Sequence, residues 1–248
     1  MENKLSIVDT EQEINLETNK EDMMSLFVKS IFGIVPFGSP IGEAITAVIP
    51  HQKLERVVDF VQVLNYKIKN AERKIEEHEL KTQEFTDLLE DSLSQASRAL
   101  SKERLEYIAS LLANSLTDEE LKHMETKKLL AILNEINDAE IIWLQYYALY
   151  GGEQNKFYEE HEKILEISPA NLQNSPKEFD KQSIQKSYKQ DLVRFGLLRE
   201  KFKQAKKGEF PEIDYNTGKP KVSYYETSSL GNALLRIIEL KPSDEAAY

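Results

Sequence analysis

The chain has 248 residues, of which 40% are hydrophobic and 30% are charged, and its formal net charge at pH 7 is −11. This hydrophobic fraction can build a core, whereas the negative balance argues against a protein that coats nucleic acid or anionic lipid with its whole surface. The absence of cysteine excludes disulfides and thiolate chemistry, and the low count of nine glycines and eight prolines favours a mainly α-helical protein.

The N-terminal segment, residues 1–22, is acidic. It carries seven acidic side chains and two lysines, a balance of −5. A secretory signal begins with basic residues, so this composition predicts a cytosolic N-terminus in the form of a mobile tail.

A nearly uncharged segment follows at residues 23–49, where Lys29 and Glu43 are the only charged side chains. Pro36 and Pro40 interrupt it, and a continuous helix does not tolerate them. We therefore predict an apolar hairpin of two short helices over residues 23–50. Each arm is long enough to cross about half of a bilayer.

Such a hairpin can be buried against the rest of the chain, against a second subunit, or in a membrane. Its small residues suit close helix packing in lipid, which keeps the membrane alternative open. The side chains predicted to carry membrane insertion or self-association are Phe27, Ile31, Phe32, Val35, Phe37, Ile41, Ile45 and Val48.

After Pro50, apolar residues recur at steps of three and four, which predicts a long amphipathic helix. The stripe weakens at His78 and Thr82 and resumes at Phe85, so the helix either continues to about Leu100 or breaks once. It is either a helix of an intramolecular bundle or the seam of a coiled-coil assembly. The seam residues are Leu54, Val57, Val61, Leu64 and Ile68.

The middle of the chain, to residue 166, reads as a helical bundle. Ser101 is a candidate cap for a helix, another helix is predicted over residues 127–136, and Asn137 or Asp138 can cap a strongly apolar helix after it. We expect that apolar helix, with its cluster of aromatic residues, to end at Gly151-Gly152.

The motifs of the common hydrolases, kinases and nucleotide-binding proteins are missing, so we predict a non-enzymatic protein with no catalytic residues. We also expect no cofactor and no metal site, because the four histidines are scattered and the repeated Glu-Glu-His-Glu string points its side chains in different directions. Arg98, Arg104 and Asp138 are interpreted as a partly buried network that specifies packing.

The C-terminal part differs in charge. Residues 167–180 read as a linker, and residues 181–221 contain eleven basic and five acidic side chains, a balance of +6. A helix over 183–195, strands on either side of a charged turn, and a closing helix over 230–240 capped by Thr227 predict a small winged-helix-like α+β module, residues 181–248.

If this module binds DNA, its first helix would enter the major groove and the wing would touch phosphates. The candidate nucleic-acid contacts are Lys186, Lys189 and Arg194 on the helix and Lys206 and Lys207 on the wing. Lys181, Lys219 and Lys221 would add to the basic surface. Many winged helices bind proteins instead, and that alternative stays open.

Two groups of residues carry resemblances. Asp191-Leu192-Val193-Arg194-Phe195-Gly196-Leu197-Leu198, followed by Tyr225-Glu226-Thr227-Ser228-Ser229-Leu230-Gly231, resembles the ending of winged-helix domains and of the abortive-infection alpha family of bacterial proteins. Ile34-Val35-Pro36-Phe37-Gly38, together with Arg104-Leu105-Glu106-Tyr107 and Asn137-Asp138-Ala139-Glu140, is similar to uncharacterised bacterial and prophage proteins linked to phage defence. The resemblances imply a bacterial setting and a role in defence, and they transfer no active site.

The leading hypothesis from the sequence is therefore a self-associating bacterial protein that acts in phage defence by exposing its apolar hairpin to a membrane. We expect a cytoplasmic homo-oligomer, peripheral to the inner face of the membrane when active and released by an unknown protein trigger. The alternative is a winged-helix DNA-binding regulator or adaptor in which the apolar segment is the core of a dimer.

Overall fold

A computed structural model describes residues 51–71, 75–76, 78–117, 123–166, 175–203, 210–214 and 218–240. Within these residues the protein is mainly helical, with a single antiparallel pair of strands, as the composition predicts. The helices are α1 His51–Lys69, α2 Gln83–Ala96, α3 Lys102–Thr117, α4 His123–Glu135, α5 Asp138–Ala148, α6 Gly151–Glu160, α7 Glu162–Leu165, α8 Pro176–Arg194 and α9 Ser229–Ile237, and the strands are β1 Leu198–Phe202 and β2 Val222–Thr227.

The first four helices form a bundle in which α1 packs mainly against α3, and α2 packs against α3 and α4. The predicted long amphipathic helix breaks once. Its first part ends at Lys69, before Ala71 and Ile75, and a short 3₁₀ helix at Glu79–Lys81 precedes α2. The side chain of Thr82 accepts a hydrogen bond from the Phe85 backbone N–H at 3.2 Å, so the weak point of the stripe is the start of a new helix.

The seam of α1 faces the interior of this chain. Val57, Val61 and Leu64 are buried in the core, and Ile68 is partly buried against it. Leu54 lies in α1, but only its backbone belongs to the described part of the chain. Val57, Val61 and Leu64 therefore serve intramolecular packing within the described fold.

Two predicted caps are confirmed. The Arg104 backbone N–H donates to Ser101 Oγ at 3.1 Å, and the Glu140 backbone N–H donates to Asn137 Oδ1 at 3.0 Å. Glu140 completes a capping box by accepting from the Asn137 N–H at 2.6 Å.

The predicted polar network is confirmed for two of its three members. Arg104 donates from Nε to Asp138 Oδ1 at 2.7 Å and from its terminal nitrogens to the carbonyl oxygens of Leu133 and Ile136 at 2.7 and 2.9 Å. It thus satisfies carbonyls at the end of α4 and fixes the turn into α5. The prediction was wrong for Arg98, whose exposed guanidinium instead bonds to Ser94 one helical turn earlier.

The glycine pair was misassigned. The apolar helix α5 ends at Ala148, and Gly151-Gly152 begins α6 instead of ending α5. Gly151 has φ +57°, a left-handed conformation that other residues adopt at a cost, and it is the first residue of α6 after a two-residue connection from α5. α6 and α7 are separated by a bend at His161.

The C-terminal elements also differ from the predicted bounds. α8 begins at Pro176 instead of residue 183, so seven residues assigned to the linker or left unassigned are helical. It ends where Gly196, at φ +74°, lets the Leu197 N–H donate back to the Leu192 carbonyl at 2.9 Å. α9 is capped by Ser228, not Thr227: the Gly231 N–H donates to Ser228 Oγ at 3.0 Å.

β1 and β2 pair in antiparallel register, from Leu198 opposite Thr227 to Phe202 opposite Val222. α5 packs against α8, α9 and β2, and α8 also packs against β1. Leu192, Leu198 and Leu234 belong to the same cluster of buried residues as Val57 and Ile108. One continuous hydrophobic core therefore holds the bundle and the C-terminal elements together.

Candidate nucleic-acid interface

One face of α8 packs against the fold and the opposite face is exposed to solvent. Along its 19 residues only Gln185 and Leu192 are buried. Their spacing, with Lys189 between them, places one stripe of the helix against the fold; Tyr188 and Val193 are partly buried beside it, and the opposite face is open to solvent. A helix of this length that contributes so little to the core presents an extended polar surface.

Gln185 fixes the inner face at the N-terminal side. Its side-chain amide donates to the carbonyl oxygens of Ile164 and Glu166, at 2.9 and 2.8 Å. These carbonyls lie at the end of α7, where no intrahelical donor remains for them. The contact joins α8 to the helix pair α6–α7 through a buried polar side chain.

Lys189 fixes the centre of the same face. Its ammonium nitrogen lies 5.0 Å from the centroid of the Trp143 ring and 5.7 Å from that of Tyr225. Burial lowers the pKa of Lys189, because a charged amine loses hydration there. The ring faces attract the cation and offset part of that cost.

Aromatic side chains surround this contact. Trp143 is buried and stacks on Tyr147, with ring centroids 5.9 Å apart, and Tyr147 lies 5.6 Å from Tyr225. Burial raises the pKa of Tyr147 and of Tyr225, so both phenols stay neutral at physiological pH. The cluster is a packed joint between α5 and β2.

The outer face of α8 is polar and basic. Exposed residues that share it at steps of three and four include Ser183, Lys186, Ser187, Gln190 and Arg194, and the exposed Phe179 and Asp180 continue the row toward the start of the helix. Arg194 is 67% exposed and forms an ion pair with Asp191 at 3.1 Å. Such a surface pair is worth little and is exchanged readily for another anion. Hydroxyl, amide and guanidinium groups in one row are the donors and acceptors that read base edges in DNA.

The hairpin beside α8 carries a second group of basic residues, most of which contact acids. Lys201 pairs with Glu226 at 2.6 Å, while Lys203 and Lys221 share Glu212 at 2.8 and 3.6 Å. Hydrogen bonding to Glu226 raises the pKa of Lys201, and hydrogen bonding to Lys203 lowers the pKa of Glu212. Lys201 is therefore charged at neutral pH.

Exposed apolar residues accompany the lysines of the hairpin. Phe202, Phe210, Ile213 and Tyr224 are all exposed, and Phe210 is 95% exposed. Exposed apolar side chains of this kind occur on surfaces that contact a partner or the groove of a nucleic acid. These residues lie on the hairpin, whose first strand packs against α8.

The basic residues predicted to contact nucleic acid do not all lie on the exposed face of α8. Lys186 and Arg194 lie on the outer face of α8, whereas Lys189 is turned inward onto Trp143. Lys206 and Lys207 lie outside the described residues. Lys181 pairs with Glu166 at 3.2 Å, at the junction with α7. The apolar side chains proposed for membrane insertion also lie outside the described part of the chain; they are Phe27, Ile31, Phe32, Val35, Phe37, Ile41, Ile45 and Val48.

Ser183, Ser187 and Gln190 were not predicted from the sequence, because uncharged polar side chains do not mark a nucleic-acid contact by composition. The first two turns of α8 were not predicted either. A usable signal was present: Glu178 accepts hydrogen bonds from the backbone N–H and hydroxyl of Ser175 at 2.6 and 2.9 Å, and Pro176 occupies the first helical position. A serine that is followed directly by a proline, with a glutamate three residues after the serine, marks the start of a helix.

In the residues that the structure describes, no three His, Asp or Glu side chains are grouped so that they could hold a metal ion. No helix of the same described ranges is both long and apolar enough to cross a membrane.

Comparison with known proteins gives no further assignment. No protein-family model matches the sequence, and no curated protein or solved structure is significantly similar to it. The resemblances drawn from short motifs in the sequence therefore stay predictions.

Proposed function

We propose that the C-terminal part of the chain, from α5 to α9, is a winged-helix-like module that binds DNA through α8 and the β1–β2 hairpin. The observation that carries the proposal is the exposed row of polar and basic side chains on α8, a 19-residue helix that buries only two residues.

The order of the elements supports this assignment. α5, the pair α6–α7 and α8 are three successive helical units, and the hairpin and α9 follow them. In a winged helix-turn-helix the last helix before the hairpin lies in the major groove and the hairpin contacts the flanking backbone. α8 has that position here.

The chemistry of the outer face supports it as well. Lys186 and Arg194 supply charges for phosphates or guanine, and Gln190 can donate to and accept from adenine. The basic balance of +6 over residues 181–221 contrasts with −17 for the rest of the chain. Such a separation of charge along the chain favours the approach of a polyanion to this segment over the rest of the chain.

The proposal is tested by binding of a short fluorescent duplex of mixed sequence, followed by anisotropy over a range of salt concentrations. The double variant Lys186→Glu, Arg194→Glu should weaken binding by about tenfold or more and flatten its salt dependence. The matched control, Lys102→Glu with Lys128→Glu, changes the net charge equally on exposed positions of α3 and α4. Equal loss in both double variants, or no salt-dependent binding by the unaltered chain, contradicts the proposal.

We propose, as a second candidate, that the hairpin of residues 23–50 acts on membranes in bacterial phage defence. It is supported by the sequence, in which Lys29 and Glu43 are the only charges among residues 23–49. Leakage of dye from liposomes tests it. Changing Ile31 and Ile45 to Asp should abolish leakage, because a charged side chain is costly in the bilayer interior. Leakage that persists in this variant would contradict this second proposal.

A further inference from the structure

Lys189 is a basic side chain of α8 that the DNA-binding proposal does not use. Although it lies in a basic helix, its ammonium group rests on Trp143 and Tyr225 instead of facing solvent. Burial lowers the pKa of Lys189, and no carboxylate among the described residues forms a salt bridge with it. An unpaired, half-buried ammonium is unusual in a protein.

The position has an energetic consequence. A methionine has a similar length and would fill the same space without the cost of removing a charge from water. The cation adds attraction to two ring faces, and that attraction depends on its placement over them. The contact therefore fixes an orientation as well as filling space.

The orientation concerns the outer face of α8. Gln185, Lys189 and Leu192 form its inner stripe, and each contacts a different part of the fold: the end of α7, the aromatic joint of α5 and β2, and the hydrophobic core. Lys186 and Gln190 are three residues before and one residue after Lys189. A rotation of α8 about its axis that unseats Lys189 therefore turns both outer-face residues by the same angle.

We propose that Lys189 is a positioning residue of the DNA-binding surface. Its ammonium group, seated on the rings of Trp143 and Tyr225, ties the rotation of α8 to α5 and to the hairpin and does not touch the nucleic acid. The inference rests on the proposed function, because the surface that it positions is the one proposed to bind DNA.

The salt dependence of DNA binding separates positioning from contact. A lysine that neutralises one phosphate contributes about 0.9 to the slope of log affinity against log salt concentration. Lys186→Met should lose that contribution. Lys189→Met should weaken binding by about two- to fivefold at every salt concentration, the equivalent of one cation–π contact, and keep the slope of the unaltered protein. Lys189→Arg should restore the affinity, because a guanidinium also binds ring faces.

A flatter slope for Lys189→Met, like that for Lys186→Met, would show a phosphate contact and overturn the proposal. Unchanged affinity in Lys189→Met would overturn it too. If Lys189→Met does not fold, Tyr225→Leu removes one ring face and leaves the lysine in place. It should weaken binding in the same way, with an unchanged slope, and a binding curve identical to that of the unaltered protein would contradict the proposal.

A readout without DNA distinguishes failure of this inference from failure of the proposed function. Trp143 is the single tryptophan of the chain, so its fluorescence reports on the contact with Lys189. Lys189→Met should shift the emission and speed amide exchange in α8, whereas Lys186→Met should change neither. If the unaltered protein binds no DNA but these changes appear, the orienting contact stands and the proposed function fails. If Lys189→Met leaves both signals unchanged, the inference fails.

Discussion

α1 and α8 each contain 19 residues, but the fold uses them in opposite ways. α1 buries Val57, Val58, Phe60, Val61 and Leu64, whereas α8 buries only Gln185 and Leu192. The first helix is a structural member of the bundle, and the second is held by a few anchors and leaves its outer side free. Helices of equal length can thus be separated into those that build the core and those that present a surface.

The largest expected effect lies in α1. Phe60 is fully buried, so Phe60→Ala should lower the free energy of unfolding by about 3–5 kcal/mol, measured by urea denaturation. Ile184 is 50% exposed on α8, and Ile184→Ala should change that free energy by no more than about 0.5 kcal/mol. A comparable loss in the two variants would mean that α8 carries a share of the core equal to that of α1.

A smaller effect is expected at the apolar anchor of α8. Leu192 is fully buried, and Leu192→Ala should lower the free energy of unfolding by about 2–4 kcal/mol. Because few other side chains hold α8, amide exchange should accelerate in α8 more than in α1. Leu192→Met keeps the volume of the side chain and serves as the control. Uniform acceleration across both helices would contradict the idea that α8 is attached locally.

The smallest effect concerns two acids in equivalent capping positions, Glu140 at the start of α5 and Glu178 at the start of α8. Burial raises the pKa of Glu140, so its contribution to stability is complete at low pH and is lost as the pH rises through the raised value. Hydrogen bonds from Ser175 lower the pKa of the exposed Glu178. Its contribution is present at neutral pH and is lost as the pH falls through the lowered value.

Glutamine at each position removes the charge and keeps an acceptor. Relative to the unaltered protein, Glu140→Gln should become more favourable as the pH rises from 4 to 7, and Glu178→Gln should become less favourable over the same range. Urea denaturation at several pH values gives both differences. If the stability difference changes with pH in the same direction in the two variants, the pKa values of Glu140 and Glu178 are not shifted in opposite directions, and the account is contradicted.

The general architecture could be predicted from the sequence, because the positions of the helices depend on local patterns of residues. The apolar spacing of α1, the caps Ser101 and Asn137, and the glycine-ended helix before Leu197 can each be read from a few neighbouring residues. The start of α8 could also have been found, since Ser175, Pro176 and Glu178 form a helix-start signal. Those residues were assigned to a linker because serine and proline also mark turns.

The orientation of side chains could not be predicted in the same way. Lys186 and Lys189 belong to one basic helix, and only the placement of Trp143 and Tyr225, 46 and 36 residues away from Lys189, decides which lysine turns inward. The exposed polar row of Ser183, Ser187 and Gln190 carries no charge and so gives no signal in composition. Both features depend on tertiary packing.

The central claim is that the outer face of α8 binds DNA, and the most direct measurement is amide hydrogen exchange of the full chain with and without a short duplex. DNA should slow exchange in α8 and in the β1–β2 hairpin and leave α1 unchanged. Protection of α1 with none in α8, or no protection anywhere at concentrations where anisotropy reports binding, would contradict the account.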